Sequence, residues 1–324
     1  MTPLLEVEDL RIGFPGRSGR VYPVDGVSFS LGRGETLALV GESGSGKSLT
    51  SLALLQLVPP PGLVEPGGAV RLAGEDLLAL RGEALRRVRG RRIGMVFQDP
   101  MTSLNPVFRV GDQIAEGIRA HFPVRAAEAM DRAIGLLREA GMPDPEDRAR
   151  AYPHQLSGGM RQRVMIAIAL AAEPEILIAD EPTTALDVTV QAQILEILDR
   201  LRATRGMSIL LITHDMGIVA GRADRVAVMY AGRIIETAPA ELLFARPSHP
   251  YTRGLFAAIP RLDGPPGALT PIPGAVPSPA EWPTGCRFRP RCPEAFARCE
   301  NDPPVFVSGS GRASRCWLAE GPQP

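Results

Sequence analysis

The stretch Gly41-Glu42-Ser43-Gly44-Ser45-Gly46-Lys47-Ser48, with Leu49 opening an apolar run behind it, has the residue types and spacing of a phosphate-binding loop. Its glycines let backbone N–H groups close around phosphate oxygens, the following helix adds its positive end, and Ser48 offers a hydroxyl to Mg²⁺. Lys47 is the single lysine among 36 basic residues. Arginine stands wherever either cation would serve, so position 47 asks for a compact ammonium rather than a planar fork. The bland reading, a glycine-rich turn with an incidental lysine, would require neither that exclusivity nor the apolar strand pattern Thr36 to Val40 just upstream.

Further groups suited to phosphate chemistry follow other apolar runs. Asp180 and Glu181 close the run Ile176 to Ala179 and precede Pro182. Adjacent strand residues point to opposite faces, so a bend at Pro182 is expected to bring both carboxylates to the nucleotide. Asp180 would orient Mg²⁺ and Glu181 would act as general base on water; an acid pair capping a helix is the plainer alternative. His214 stands after the run Ser208 to Thr213, where it could hold the γ-phosphate and the attacking water, and Gln98 follows Ile93 to Phe97 as an amide able to reach Mg²⁺. Leu156-Ser157-Gly158-Gly159-Met160 precedes a helical pattern, with Ser157 as N-cap and two glycines that bare backbone N–H groups at the helix's positive end. One short turn cannot readily complete two cradles in one chain, so this second anion site is expected to serve the nucleotide of another chain.

The elements that position these groups read as an α/β sheet. The four continuous apolar runs suit strands covered on both faces, and helical patterns lie at Ser48 to Leu57, Met160 to Ala172 and Val190 to Arg202. Ligands of open α/β sheets bind beyond the carboxyl ends of strands, which is where the candidate residues stand. Leu4 to Leu10, Val27 to Leu31 and Val226 to Thr237 are expected to form a smaller antiparallel sheet. Residues 99–155 carry helical patterns, Val110 to His121 and Arg125 to Ala140, without a strand, and are expected to be a helical insertion. Beyond about residue 245 the chain turns rich in Pro and Gly, as in Gly264-Pro265-Pro266-Gly267, which marks a boundary before a tail.

Composition narrows the class. Thirty-six basic and 36 acidic residues in 324 give zero net charge, so there is no basic field for holding nucleic acid non-specifically. The apolar runs fall short of the roughly 18 residues a membrane-spanning helix needs, and residues 1–10 lack a secretory pattern. The expected location is the cytosol.

Taken in order, the phosphate loop, Gln98, the signature Leu156 to Met160, Asp180-Glu181, the loop Ala185-Leu186-Asp187 and His214 make residues 4–245 resemble the nucleotide-binding subunits of ATP-binding-cassette (ABC) transporters. The resemblance implies a P-loop cassette over residues 1–245 with the helical insertion at 99–155, and a head-to-tail cassette pair with two ATP molecules between the phosphate loop of one and the signature of the other. It implies that Glu181 is the catalytic base, that His214 stabilises the closed state, and that Ser48, Gln98 and Asp180 attend Mg²⁺. It also places an aromatic ring on the adenine, for which Tyr22 is favoured over Phe14. Gln98-Asp99-Pro100-Met101-Thr102-Ser103-Leu104-Asn105-Pro106 and His249-Pro250-Tyr251-Thr252 are similar to the dipeptide and oligopeptide import branch, with nickel and some sugar importers sharing the pattern. That branch implies a second, related ATPase, two membrane permeases, an external solute-binding protein and a seat on the cytoplasmic face of the inner membrane. Soluble ABC ATPases of DNA repair or ribosomes fit less well, because 99–155 holds no sustained heptads, and a degenerate cassette would not retain every one of these residues.

All four cysteines, Cys286, Cys292, Cys299 and Cys316, lie in the extension 246–324. In a cytosolic chain such clustering suits a shared [4Fe–4S] cluster or Zn²⁺ rather than disulfides. Their spacing lacks the Cys-x2-Cys knuckle usual for structural zinc, and similar peptide-importer ATPases carry an iron–sulfur cluster in this tail, so iron is the expectation. Its role would be to staple a tail too small to bury a core.

Overall fold

A computed structural model describes residues 3–17, 19–184, 186–258 and 271–320. Its contacts group residues 1–78 with 212–324 as one unit and residues 79–211 as another, the division falling within the strand Ser208–Thr213.

In the first unit, Leu5–Gly16 pairs antiparallel with Gly19–Leu31 and, on its other edge, with Ala69–Leu72. Leu5, Val7, Leu10 and Ile12 turn inward, the alternation expected of a half-buried strand. Thr36–Val40 behaves differently: all five residues are buried, and it pairs parallel with Arg225–Tyr230, which turns back antiparallel as Arg233–Pro239. The segment Val226 to Thr237 was expected in the small antiparallel sheet and instead joins the strand that feeds the phosphate loop. The reason is visible in its side chains, since Val226 to Tyr230 are all buried and need cover on both faces.

The tail does not stand apart from this sheet. Ala313–Ser314 pairs with Arg233–Pro239, and Phe288, 2% exposed, packs edge-on against Tyr230 and Tyr251 with ring centroids 5.3 Å away in each case. The expectation of a tail too small to bury a core is therefore corrected: the extension borrows the hydrophobic core of the strands beside the phosphate loop. Gly264-Pro265-Pro266-Gly267 lies outside the described residues.

In the second unit, Ile93–Val96 and Ile176–Asp180 run parallel, and Ser208–Thr213 flanks the latter. The helices Val110–His121, Ala126–Glu139, Gly158–Leu170 and Val188–Arg205 fall within three residues of their expected limits. Residues 99–155 contain no strand among the described residues. Also among the described residues, no helix is long and apolar enough to cross a membrane.

Candidate nucleotide-binding and catalytic site

The phosphate loop leaves the buried strand Thr36–Val40 and enters the helix Lys47–Leu54. Two glycines are dictated by space and torsion. A Cβ at Gly41 would overlap the Met229 carbonyl oxygen, and Gly46, the N-cap, has φ of 104°. Lys47, only 4% exposed, donates from Nζ to the carbonyls of Gly41 (2.7 Å) and Glu42 (3.0 Å), which fixes the ammonium across the loop. Gly232 N–H donates to the Ser45 carbonyl at 2.9 Å, pinning the loop from outside. The Ser45 hydroxyl is buried and lacks a hydrogen-bond partner, an orphaned donor inside a phosphate-shaped turn. The donors present thus fit a polyphosphate.

Of the two aromatic candidates, Phe14 lays its ring against Gly62, where a Cβ would come 2.7 Å from its Cε1. Tyr22 immediately precedes Pro23, whose carbonyl oxygen lies against Gly46. His214, in this same unit, is exposed directly after Thr213, and the next residue, Asp215, caps a short helix by accepting from Gly217 N–H at 2.7 Å.

In the second unit Asp180 ends its strand 3% exposed. The bend beyond it is made by Glu181 itself, at φ 47°, rather than by Pro182 alone. For a residue with a Cβ this left-handed conformation costs about 1–2 kcal/mol, and it turns the second carboxylate out of the strand's alternation. One oxygen of Glu181 accepts from Gln98 Nε2 (3.0 Å) and from Thr184 Oγ1 (2.9 Å). The structure therefore brings Gln98 onto the proposed base. Thr184 went unnoticed in the sequence because a threonine three residues past an acid carries no signal of its own.

The signature turn also lies in this unit. Ser157 accepts from Met160 N–H at 3.3 Å, the expected cap of Gly158–Leu170. Ser157 and Gly158 are exposed, while a Cβ on Gly159 would come 2.5 Å from Val190 Cγ1. Gly159 is thus required by packing as well as by any ligand. Asp187 caps Val188–Arg205 by accepting from Val190 N–H at 2.9 Å; Ala185 lies outside the described residues.

The cysteines end in one place but not as a tight ligand set. All four line one small cavity with Phe288 and Trp317. Burial raises the thiols of Cys286 and Cys292 and pushes Cys316 up to about 11, so these thiols stay protonated at neutral pH unless a cation stabilises the thiolates. Among the described residues no group of three or more His, Cys, Asp or Glu stands close enough to hold a metal ion, so the expected four-cysteine ligand set is not formed by these side chains as they stand.

Sequence reasoning also missed what holds Glu42. Arg291 closes a two-nitrogen fork on its carboxylate at 2.7 and 2.9 Å, and the Glu42 N–H donates to the Tyr251 hydroxyl at 2.9 Å. Tyr251 belongs to the His249-Pro250-Tyr251-Thr252 string, but nothing in that string names its partner. His249 Nδ1 caps the helix Pro250–Ala257 by accepting Tyr251 N–H at 3.0 Å, and Glu236, fully buried, accepts from the N–H groups of Ser248 and His249.

Comparison with known proteins agrees with this geometry. The family described as ABC transporter matches residues 24–184, and the oligopeptide/dipeptide transporter C-terminal region matches residues 235–299. The chain is 54% identical over 314 residues to a peptide import ATP-binding protein of Brucella abortus, covering 97% of this chain and 94% of that one. It is 50% identical to the oligopeptide transport ATP-binding protein AppD of Bacillus subtilis, covering 99% of this chain and 98% of the relative. Among solved structures, the dimeric ATP-binding cassette MJ0796 in a post-hydrolysis state bound to ADP and Pi matches with a TM-score of 0.65 and 27% identity, over 73% of this chain and 98% of its own.

Proposed function

The chain belongs to the ABC transporter family and carries the oligopeptide/dipeptide C-terminal region, and on that premise we propose that it is the ATP-hydrolysing subunit of a peptide importer. It is an ABC ATPase. The observation that carries the peptide assignment is the C-terminal match at residues 235–299, together with relatives 46–54% identical over nearly the whole chain whose names specify peptide, oligopeptide or dipeptide transport. Nickel or a sugar is the alternative cargo.

Gly41 to Leu49 would bind the triphosphate, Lys47 meeting its terminal phosphates, and Tyr22 would stack on adenine, supported by Pro23 lying against Gly46. Ser48, Gln98 and Asp180 would attend Mg²⁺, which when bound neutralises phosphate charge. Glu181 would take a proton from the attacking water, oriented by the bonds from Gln98 and Thr184, and His214 would hold the closed state. Exposure of Ser157 and Gly158 supports a signature that covers the nucleotide of a second cassette.

Residues 1–245 are read as the cassette, with 99–155 its helical insertion and docking surface for two permeases, and 246–324 as the extension. The second cassette is a related ATPase, an external binding protein delivers cargo, no nucleic acid is bound, and the seat is the cytoplasmic face of the inner membrane. Cys286, Cys292, Cys299 and Cys316 would hold a [4Fe–4S] cluster, which spreads its thiolates around a cubane rather than onto one ion; the shared cavity and all-sulfur donor set support this. Anaerobically purified protein should then absorb broadly near ~400 nm and carry about four irons per chain, and colourless, iron-free protein would overturn it. For the function itself, cells lacking the chain should lose uptake of a labelled oligopeptide and regain it with wild type but not with Glu181→Gln. Unchanged peptide uptake in the deletion would contradict the cargo.

A further inference from the structure

A carboxylate inside a phosphate-binding loop repels the ligand that the loop exists to hold. Glu42 occupies the second position of this loop, and all three of its polar groups are engaged. Its carbonyl accepts from Lys47 Nζ, its N–H donates to Tyr251, and its carboxylate receives the Arg291 fork. The last two partners come from the C-terminal extension.

Arg291 is built for this one contact. Its side chain is 6% exposed, its remaining donors are spent on the carbonyls of Pro273 (2.8 Å) and Gly274 (3.3 Å) and on the Tyr230 hydroxyl (3.4 Å), and Glu42 is its carboxylate partner. Burial disfavours the guanidinium charge, yet its bonds to Glu42 and Tyr230 outweigh that and hold its pKa above the ordinary arginine value. A buried guanidinium with its carboxylate removed would be strongly unfavourable, so each charge fixes the other. The bidentate geometry sets the direction of Glu42 as well as its charge.

We propose that the C-terminal extension completes the phosphate-binding loop in cis: Arg291 is a positioning residue that neutralises and turns aside the Glu42 carboxylate, with Tyr251 anchoring the same residue's backbone, so that the loop accepts a triphosphate. The proposal rests on the reading of Gly41 to Ser48 as that loop. It gives the His249-Pro250-Tyr251-Thr252 string a task, since His249 caps the helix that presents Tyr251.

The test is equilibrium binding of Mg-ATP to the full chain, with thermal melting alongside. Arg291→Gln is expected to weaken ATP at least about fivefold. Removing the offending charge as well, in Arg291→Gln with Glu42→Gln, should bring affinity back to within about twofold of Glu42→Gln alone, a rescue that loss of mere scaffolding would not give. Tyr251→Phe, which deletes only a hydroxyl, should weaken ATP by less, and Arg253→Gln, breaking the exposed pair with Glu294, should change nothing. Wild-type affinity in Arg291→Gln, or a double variant no better than that single one, overturns the proposal. Should Arg291→Gln fail to fold, unaltered binding by Tyr251→Phe overturns it. Lys47→Ala separates the two layers: if it binds ATP normally the loop reading falls and takes this proposal with it, whereas loss of binding there with normal binding in Arg291→Gln refutes the brace alone.

Discussion

Ser45 in the phosphate loop is buried and its backbone is pinned by Gly232, whereas Ser157 and Gly158 in the signature turn are exposed and held locally by one cap bond. Both turns stand at a helix N-terminus, where bare N–H groups suit an anion. The first is tied to surrounding structure through Lys47, Gly232, Tyr251 and Arg291; the second presents its donors outward. A turn of the first kind can bind a ligand with the residues of its own chain, while a turn of the second kind becomes a site only when something is laid over it. The difference between them is the physical content of a shared nucleotide site.

That contrast can be broken by substitution. The largest effect is expected from Glu181→Gln, which removes the base and leaves both turns intact: kcat for ATP should fall by about 10²–10⁴ with ATP affinity retained, and near-wild-type turnover would remove Glu181 from its role. Next, Lys47→Ala should weaken ATP binding at least about tenfold, since a charge-assisted contact to phosphate is lost. Ser157→Ala should behave differently from both. It should lower helix stability by about 1 kcal/mol, leave ATP affinity of the isolated chain unchanged, and reduce turnover only in the assembled transporter; weaker ATP binding by the isolated chain would place the signature in the wrong chain.

The effect smallest on ATP turnover is a pH dependence of stability on the phosphate-loop side. His249 is fully buried and its pKa is lowered by desolvation to about 3, so the unfolded chain takes up a proton that the folded chain refuses. Stability is unaffected by this group above about pH 6.5 and declines as pH falls from there toward 3. The melting temperature should therefore drop between pH 7 and pH 5, and His249→Asn, which keeps a cap acceptor for Tyr251 N–H, should flatten that drop. An unchanged slope would contradict it.

The turn from the strand Thr36–Val40 into the helix Lys47–Leu54, the carboxylate that ends Ile176–Asp180 and the serine cap of Gly158–Leu170 were legible in the sequence because backbone chemistry forces local spacing: glycines where N–H groups must close, a capping serine before a helix, an acid at a strand end. The parallel strands were legible as unbroken apolar runs. Val226 to Thr237 was misassigned because a buried hairpin strand and an edge strand look alike until the sheet is seen. The bend at Glu181 was expected from Pro182, since a positive φ at an acid leaves no mark in the sequence. Arg291 and Glu42 are 249 residues apart, and no local pattern links such a pair. The cysteines were found by their clustering, but convergence on a cavity rather than on one point is a property of packing.

Head-to-tail pairing would lay the signature of one chain over the nucleotide held by another. The most direct test is recovery of tagged Glu181→Gln chain from detergent-solubilised native membranes in Mg-ATP, with identification of what accompanies it and a Ser157→Arg derivative in parallel. The expected result is two polytopic membrane proteins and a second cassette retained with Glu181→Gln, with the cassette pair no longer stabilised by ATP once Ser157→Arg is added. Recovery of the chain alone, or a pair indifferent to Ser157→Arg, would contradict it.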